Sequence, residues 1–90
     1  MTGTAKVIWK TEAAKDAFSE LIQLANIEKS HLIYETENDS RHSEYEKKVI
    51  KIQISEAYHR MVSGAYQTAT SIETRSLQLQ ADIAATFGRA

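Results

Sequence analysis

Two Glu-x-x-His pairs, Glu28-Lys-Ser-His31 and Glu56-Ala-Tyr-His59, are the residues of this sequence best suited to chemistry. Positions three apart share a face of a helix, so each pair could offer a carboxylate oxygen and an imidazole nitrogen to one metal ion. Carboxylate-bridged di-iron bundles use this pair on two helices and add single glutamates from two others. Glu20 is the candidate for such an added ligand. The spacing argues against a shared site within one chain. A turn at Asp39-Ser40 would put Glu28 opposite Lys51 and Glu20 near His59, leaving the two pairs in different layers. A dimer could still unite them. The expectation is therefore no metal and no cofactor, with a di-metal helical dimer using Glu28, His31, Glu56, His59 and Glu20 as the alternative.

Other chemistries find little to work with. There is no cysteine, so neither a thiolate nucleophile nor a disulfide framework is available. No Gly-x-Ser-x-Gly or glycine-rich phosphate loop occurs. His31, His42 and His59 read as helix-surface or seam residues rather than general bases. The chain is expected not to be an enzyme.

The elements that must position these residues are helices. Ninety residues make one domain, small enough that a lone core is only marginally sufficient. There is no proline, and Gly64 is the only glycine away from the two ends. The first residues, "TAKVIWK", alternate as a short strand or an extended arm over residues 1–10 carrying Trp9. Thr11 offers an N-cap with Glu12 in the first turn. Ala14, Phe18, Leu21, Ala25 and Leu32 then recur at helical spacing, with Ala17 and Leu24 widening the stripe, so a first helix is expected over 11–36.

Residues 37–42 form the expected turn, centred on Asn38, Asp39 and Ser40 and read as a solvated tip. Ser43 and Glu46 have capping-box spacing for a second helix over 43–88. Along it, Tyr45, Val49, Ile52, Glu56 and His59 mark one seam, and Ile50, Ile54, Tyr58 and Met61 the adjacent one. Ala65, Ala69, Ile72, Ser76, Leu79, Ile83 and Thr86 continue in alternating steps of four and three, a heptad rhythm with Phe87 beside its end and Gly88 as a stop.

At 1.5 Å per residue the first helix would be about 38 Å long and an unbroken second helix about 70 Å. The first cannot cover the second. Either the chain bends near Ser63-Gly64 into three helices, or the C-terminal half packs on another chain. From residue 61 onward the only charges are Glu73, Arg75, Asp82 and Arg89, fewer than a solvent-facing helix usually carries. The fold expected is all-α: an antiparallel helical hairpin with a long C-terminal helix, oligomeric. Ala65, Ala69, Ile72, Leu79, Ile83 and Phe87 are the expected partner-binding residues, in a homo- or hetero-oligomer. A competing α+β fold would use "VIKIQIS", where Ile50, Ile52 and Ile54 alternate, as a strand beside "KVIWK".

Net charge is −1 and the basic residues do not collect on one helical face, so neither nucleic acid nor a membrane is expected as a partner. No apolar run is long enough to span a bilayer, and no apolar leader opens the chain. The protein is expected in the cytoplasm, or exported by a route that needs no cleaved signal peptide.

"AYQTATSIETRSLQLQADIAATFG" (65–88) resembles the closing helix of the WxG-type small secreted proteins of type VII secretion, and of the small helical partners encoded beside LXG toxins. Those helices end in an acidic residue, an Ile/Leu-Ala pair and then an aromatic or apolar residue; the counterparts here are Asp82, Ile83-Ala84 and Phe87. The resemblance covers the last third of the chain and implies a leaderless secreted hairpin, or the co-secreted partner of a larger toxin. The chain departs from the family in two marks: no Trp-x-Gly lies in the turn, and no aromatic residue is followed four positions later by Asp or Glu. The resemblance then implies that a partner carries the export signal. Type III needle or rod subunits share the same plan. The opening "KVIWKTEAAKDAF" also resembles the start of RelE/ParE-type toxins, which would make "YHRMV" (58–62) an arginine-bearing strand, but residues 65–87 read as helix where those folds need strands.

Overall fold

A computed structural model describes residues 8–88. Two helices account for nearly all of them: α1 (Glu12–Glu37) and α2 (Glu44–Phe87). They form an antiparallel hairpin measuring 71 × 29 × 13 Å. The expected all-α hairpin is what the chain adopts. No strand occurs among the described residues, so the α+β reading fails: "VIKIQIS" lies inside α2, its isoleucines on a helix rather than one strand face. "YHRMV" is likewise helical, against the toxin-like alternative. Of the arm expected over 1–10, residues 1–7 lie outside the described part, and Ile8 to Lys10 are non-helical.

Local chemistry sets each helix end. Thr11 is extended, and its Oγ1 accepts a hydrogen bond from the Ala14 amide at 3.3 Å. Ser43 and Glu46 complete a capping box: the Glu46 amide donates to Ser43 Oγ at 3.1 Å, and the Ser43 amide donates to Glu46 Oε1 at 2.8 Å. At the far end the Gly88 amide donates to the Ala84 carbonyl, and a Cβ on Gly88 would stand 2.5 Å from that oxygen. A residue with a side chain there would require the cap to shift. Gly64, by contrast, does not break α2, which runs straight through it for 44 residues. The bend that would have made three helices is not taken, because one glycine costs a helix only about 1 kcal/mol.

The turn is tied by charge. Asp39 accepts from the Arg41 amide (2.9 Å) and from its guanidinium (3.0 and 2.9 Å). Lys51 Nζ donates to Glu37 Oε2 at 2.7 Å, and Lys47 Nζ donates to the Glu37 carbonyl. With Lys29 Nζ 4.5 Å from the Tyr58 ring centre and the Lys10 amide donating to Glu73, these contacts fix the register of the hairpin. Lys51 therefore pairs with Glu37, not Glu28. The six-residue connection pushes α2 about two turns further along than a turn pivoting on Asp39-Ser40 would. Glu28, not Glu20, comes level with the Glu56–His59 turn.

The interface between the helices is thin. Ala14, Ala25, Ile54, Ala65 and Ala69 are the buried apolar residues, and no large side chain is fully buried among the described residues. Four of the five are alanines, which let two helices approach closely but remove little apolar surface from water. Flanking them, Trp9 stacks obliquely against Phe18 and Tyr66 at 5.5 Å each, and Phe18 meets Tyr66 edge-on at 6.5 Å. That aromatic cluster closes the open end of the hairpin over the start of α1.

The turn carboxylates give a pH dependence. Hydrogen bonding from Lys51 lowers Glu37, hydrogen bonding from the Arg41 side chain holds Asp39 far below the ordinary carboxylate range, and the Ser43 amide lowers Glu46. Depressed folded-state values stabilise the fold above the unfolded values of 4.5 and 3.8, and that contribution is lost as pH falls through the folded ones. The melting temperature should be level near neutrality and fall on acidification below about pH 4.5. Changing Glu37→Gln, Asp39→Asn and Glu46→Gln together should flatten that acid limb, measured by thermal melts across pH.

Candidate interaction surface

The Glu-x-x-His residues fall on outward faces. Glu20, Glu28, His31, Glu56 and His59 are all exposed. His31 Nε2 lies 3.3 Å from Glu35, one turn ahead of it, rather than coming together with Glu28. The seam expected of Tyr45, Val49, Ile52, Glu56 and His59 does not face α1, because α1 takes the other one: Ile54 is buried and Ile50 and Tyr58 half-buried, although Met61 is about half-exposed. The two seams lie about half a turn of helix apart, and the alanines further along α2, on the side of Ile54, choose between them. The register brings the two pairs to one level of the hairpin after all. No group of three or more His, Cys, Asp or Glu lies close enough to hold a metal ion among the described residues.

The expected partner-binding residues divide at the start of α1. Ala65 and Ala69 are covered by α1 of the same chain. Ile72 is half-buried, beside the Glu73 side chain that accepts from the Lys10 amide. Beyond it α1 has ended, and the same stripe stands open: Leu79 is 59% exposed, Ile83 50% and Phe87 77%. The stripe does not rotate away from α1; it outlives it. Its flanks are polar and nearly uncharged, with Thr74 and Thr86 hydroxyls donating back to carbonyls four residues earlier and Gln78 donating to Asp82.

A second apolar surface was not foreseen as a unit. Leu21 and Leu24 of α1 and Met61, Gly64, Ala65 and Thr68 of α2 line a shallow groove along one side of the hairpin. Leu24 and Met61 are both about half-exposed there. The steps of three and four between these positions were legible, but which side of the hairpin they share depends on the register.

Trp9 packs inside its own chain, although its indole Nε1 is buried without a hydrogen-bond acceptor. Replacing Glu56→Ala and His59→Ala together should leave helicity and melting temperature nearly unchanged, within about 0.5 kcal/mol, since both side chains face solvent. Circular dichroism and thermal melts check the fold; a stoichiometric iron or manganese present in the parent and lost in the double variant would restore the metal reading. Compared with known protein families, curated proteins and solved structures, the chain finds no match.

Proposed function

We propose that this chain is a non-enzymatic helical interaction protein whose α2 offers its C-terminal third to a partner chain. The observation that carries the reading is the continuity of one apolar stripe, covered by α1 as far as Ala69 and open at Leu79, Ile83 and Phe87. Size supports it. A compact protein of 10.1 kDa exposes about 5,300 Å², whereas this hairpin exposes 7103 Å². Its radius of gyration is 19.4 Å, against about 12 Å for a compact chain of its length. An α-helical pair this open leaves its apolar faces for another helix to cover.

The finer reading is a type VII-like secreted hairpin, or the co-secreted partner of a larger toxin. What supports it is the coincidence of segments: Asp82, Ile83, Ala84 and Phe87, which carry the resemblance, all lie on the exposed overhang of α2. The two-helix plan matches what that resemblance implies. No helix among the described residues is long and apolar enough to cross a membrane. On this reading the protein resides in the cytoplasm before export and leaves with a partner that carries the signal.

Replacing Leu79→Asp and Ile83→Asp together tests the interaction surface. Burying such a side chain is worth about 1.5–3 kcal/mol, so two charges on the stripe should dissociate the assembly. Light scattering should show a drop in mass, and thermal melts a lower midpoint. A double variant with the mass and melting temperature of the parent would make the overhang an idle tail.

A further inference from the structure

We propose that residues 8–10 are a strap that opens from the folded hairpin. Closed, it covers one flank of α2; swung away at Lys10, it bares Phe18 and Tyr66. The strap stands on its own contacts. Joined to the interaction reading above, it sets how far the docking surface extends.

Spacing defines the flank. Tyr66, Glu73 and Leu77 follow one another at steps of seven and four, so they share a face of α2. The strap lies across the first two: the Trp9 ring meets Tyr66, and the Lys10 amide donates to Glu73 Oε1. One turn further on the cover stops, and Leu77 is 40% exposed. A helix laid on that face from Leu77 inward therefore meets Lys10 before it reaches Tyr66. The face is divided between an open part on the overhang and a part reserved by the strap.

The hold is slight, and closure strands a polar group. Ile8 is 85% exposed and Lys10 is exposed, so Trp9 supplies most of the packing. Its ring lies 5.5 Å from both Phe18 and Tyr66, and the Lys10 hydrogen bond is open to solvent. Against these contacts, the Trp9 indole Nε1 is buried with no acceptor. Water would satisfy that donor once the strap opens. The ring contacts favour closure and the stranded N–H opposes it. A phenylalanine could make the ring contacts without stranding a donor. A segment balanced in this way opens locally, well before the helices separate.

The hinge is already in place. Thr11 caps α1 without help from the strap: its Oγ1 accepts from the Ala14 amide and its carbonyl from the Lys15 amide. Opening at Lys10 therefore leaves the first turn of α1 capped. Phe18 and Tyr66 still meet edge-on at 6.5 Å. The strap can leave without unzipping the hairpin.

Trp9 is the only tryptophan, so its fluorescence reports the strap alone. In urea its emission should shift to that of a solvated indole while the helical circular dichroism is still intact. Glu73→Ala, which removes the Lys10 acceptor, should bring the fluorescence change to lower urea and leave the dichroism midpoint in place. Trp9→Ala should keep the helices and about double the emission of the apolar dye anilinonaphthalene sulfonate, bound at the bared rings. That increment should persist in a chain also carrying Leu79→Asp and Ile83→Asp, since Phe18 and Tyr66 lie off the overhang. Fluorescence and dichroism that change together overturn the proposal, as does loss of helix or unchanged dye emission in Trp9→Ala. So does a parent emission already that of free tryptophan. Coincident transitions beside an Asp pair that lowers the mass would remove the strap and keep the interaction surface. Separate transitions beside an Asp pair that changes neither mass nor melting temperature would keep the strap and remove the surface.

Discussion

Two helices of unequal length share one apolar stripe, and most of what is distinctive here descends from that mismatch. α1 has 26 residues and α2 has 44, so at 1.5 Å per residue α2 is about 27 Å the longer. A chain can resolve such a mismatch by bending the long helix back, by making its free end polar throughout, or by meeting another chain. Gly64 gave a place to bend that α2 does not use. Leu79, Ile83 and Phe87 keep the free end apolar on one side. The proposed function takes up the third.

The covered part of the stripe is built for closeness rather than bulk. Ala14, Ala25, Ala65 and Ala69 bring the helices together, and the larger apolar side chains are displaced to the flanks, where they stay partly wet. The aromatic trio of Trp9, Phe18 and Tyr66 and the ion pair of Glu37 with Lys51 hold opposite ends of the α1 span. Exposed ion pairs add little stability, so the turn sets register more than it sets strength. Many half-exposed Leu, Ile and Tyr side chains thus flank a small core.

Much of this was legible in the residues, for local reasons. Thr11, the Ser43–Glu46 box and Gly88 act through bonds to neighbours within four positions, so their meaning survives without knowledge of the fold. The absence of proline left nothing to interrupt α2. What was not legible depends on contacts across the hairpin. The choice between the seam of Tyr45, Val49 and Ile52 and that of Ile50 and Ile54 was settled by Ala65 and Ala69, three to four turns further on. The level of Glu28 was settled by where Lys29, Lys47 and Lys51 reach. A strand pattern in "VIKIQIS" lost to the helix because long caps and flanking helical turns outweigh a short alternation.

The residues that fill the inward stripe explain why the Glu-x-x-His pairs, at one level of the hairpin, remain apart. A carboxylate cluster in a helical bundle needs its ligands on the inward stripe, where four helices converge. At the level of the two pairs the inward stripe of α1 and α2 is taken by Ala25, Ile54 and the half-buried Tyr58. Glu56 and His59 are turned outward by the very alanines that define the interface, and Glu28 and His31 lie on the exposed flank of α1. Close helix approach and an interior ligand cage are competing uses of the same space. On the proposed reading this chain has taken the first: small side chains bring α1 and α2 together over a thin core, and cover from a partner chain adds stability that rises with the partner's concentration.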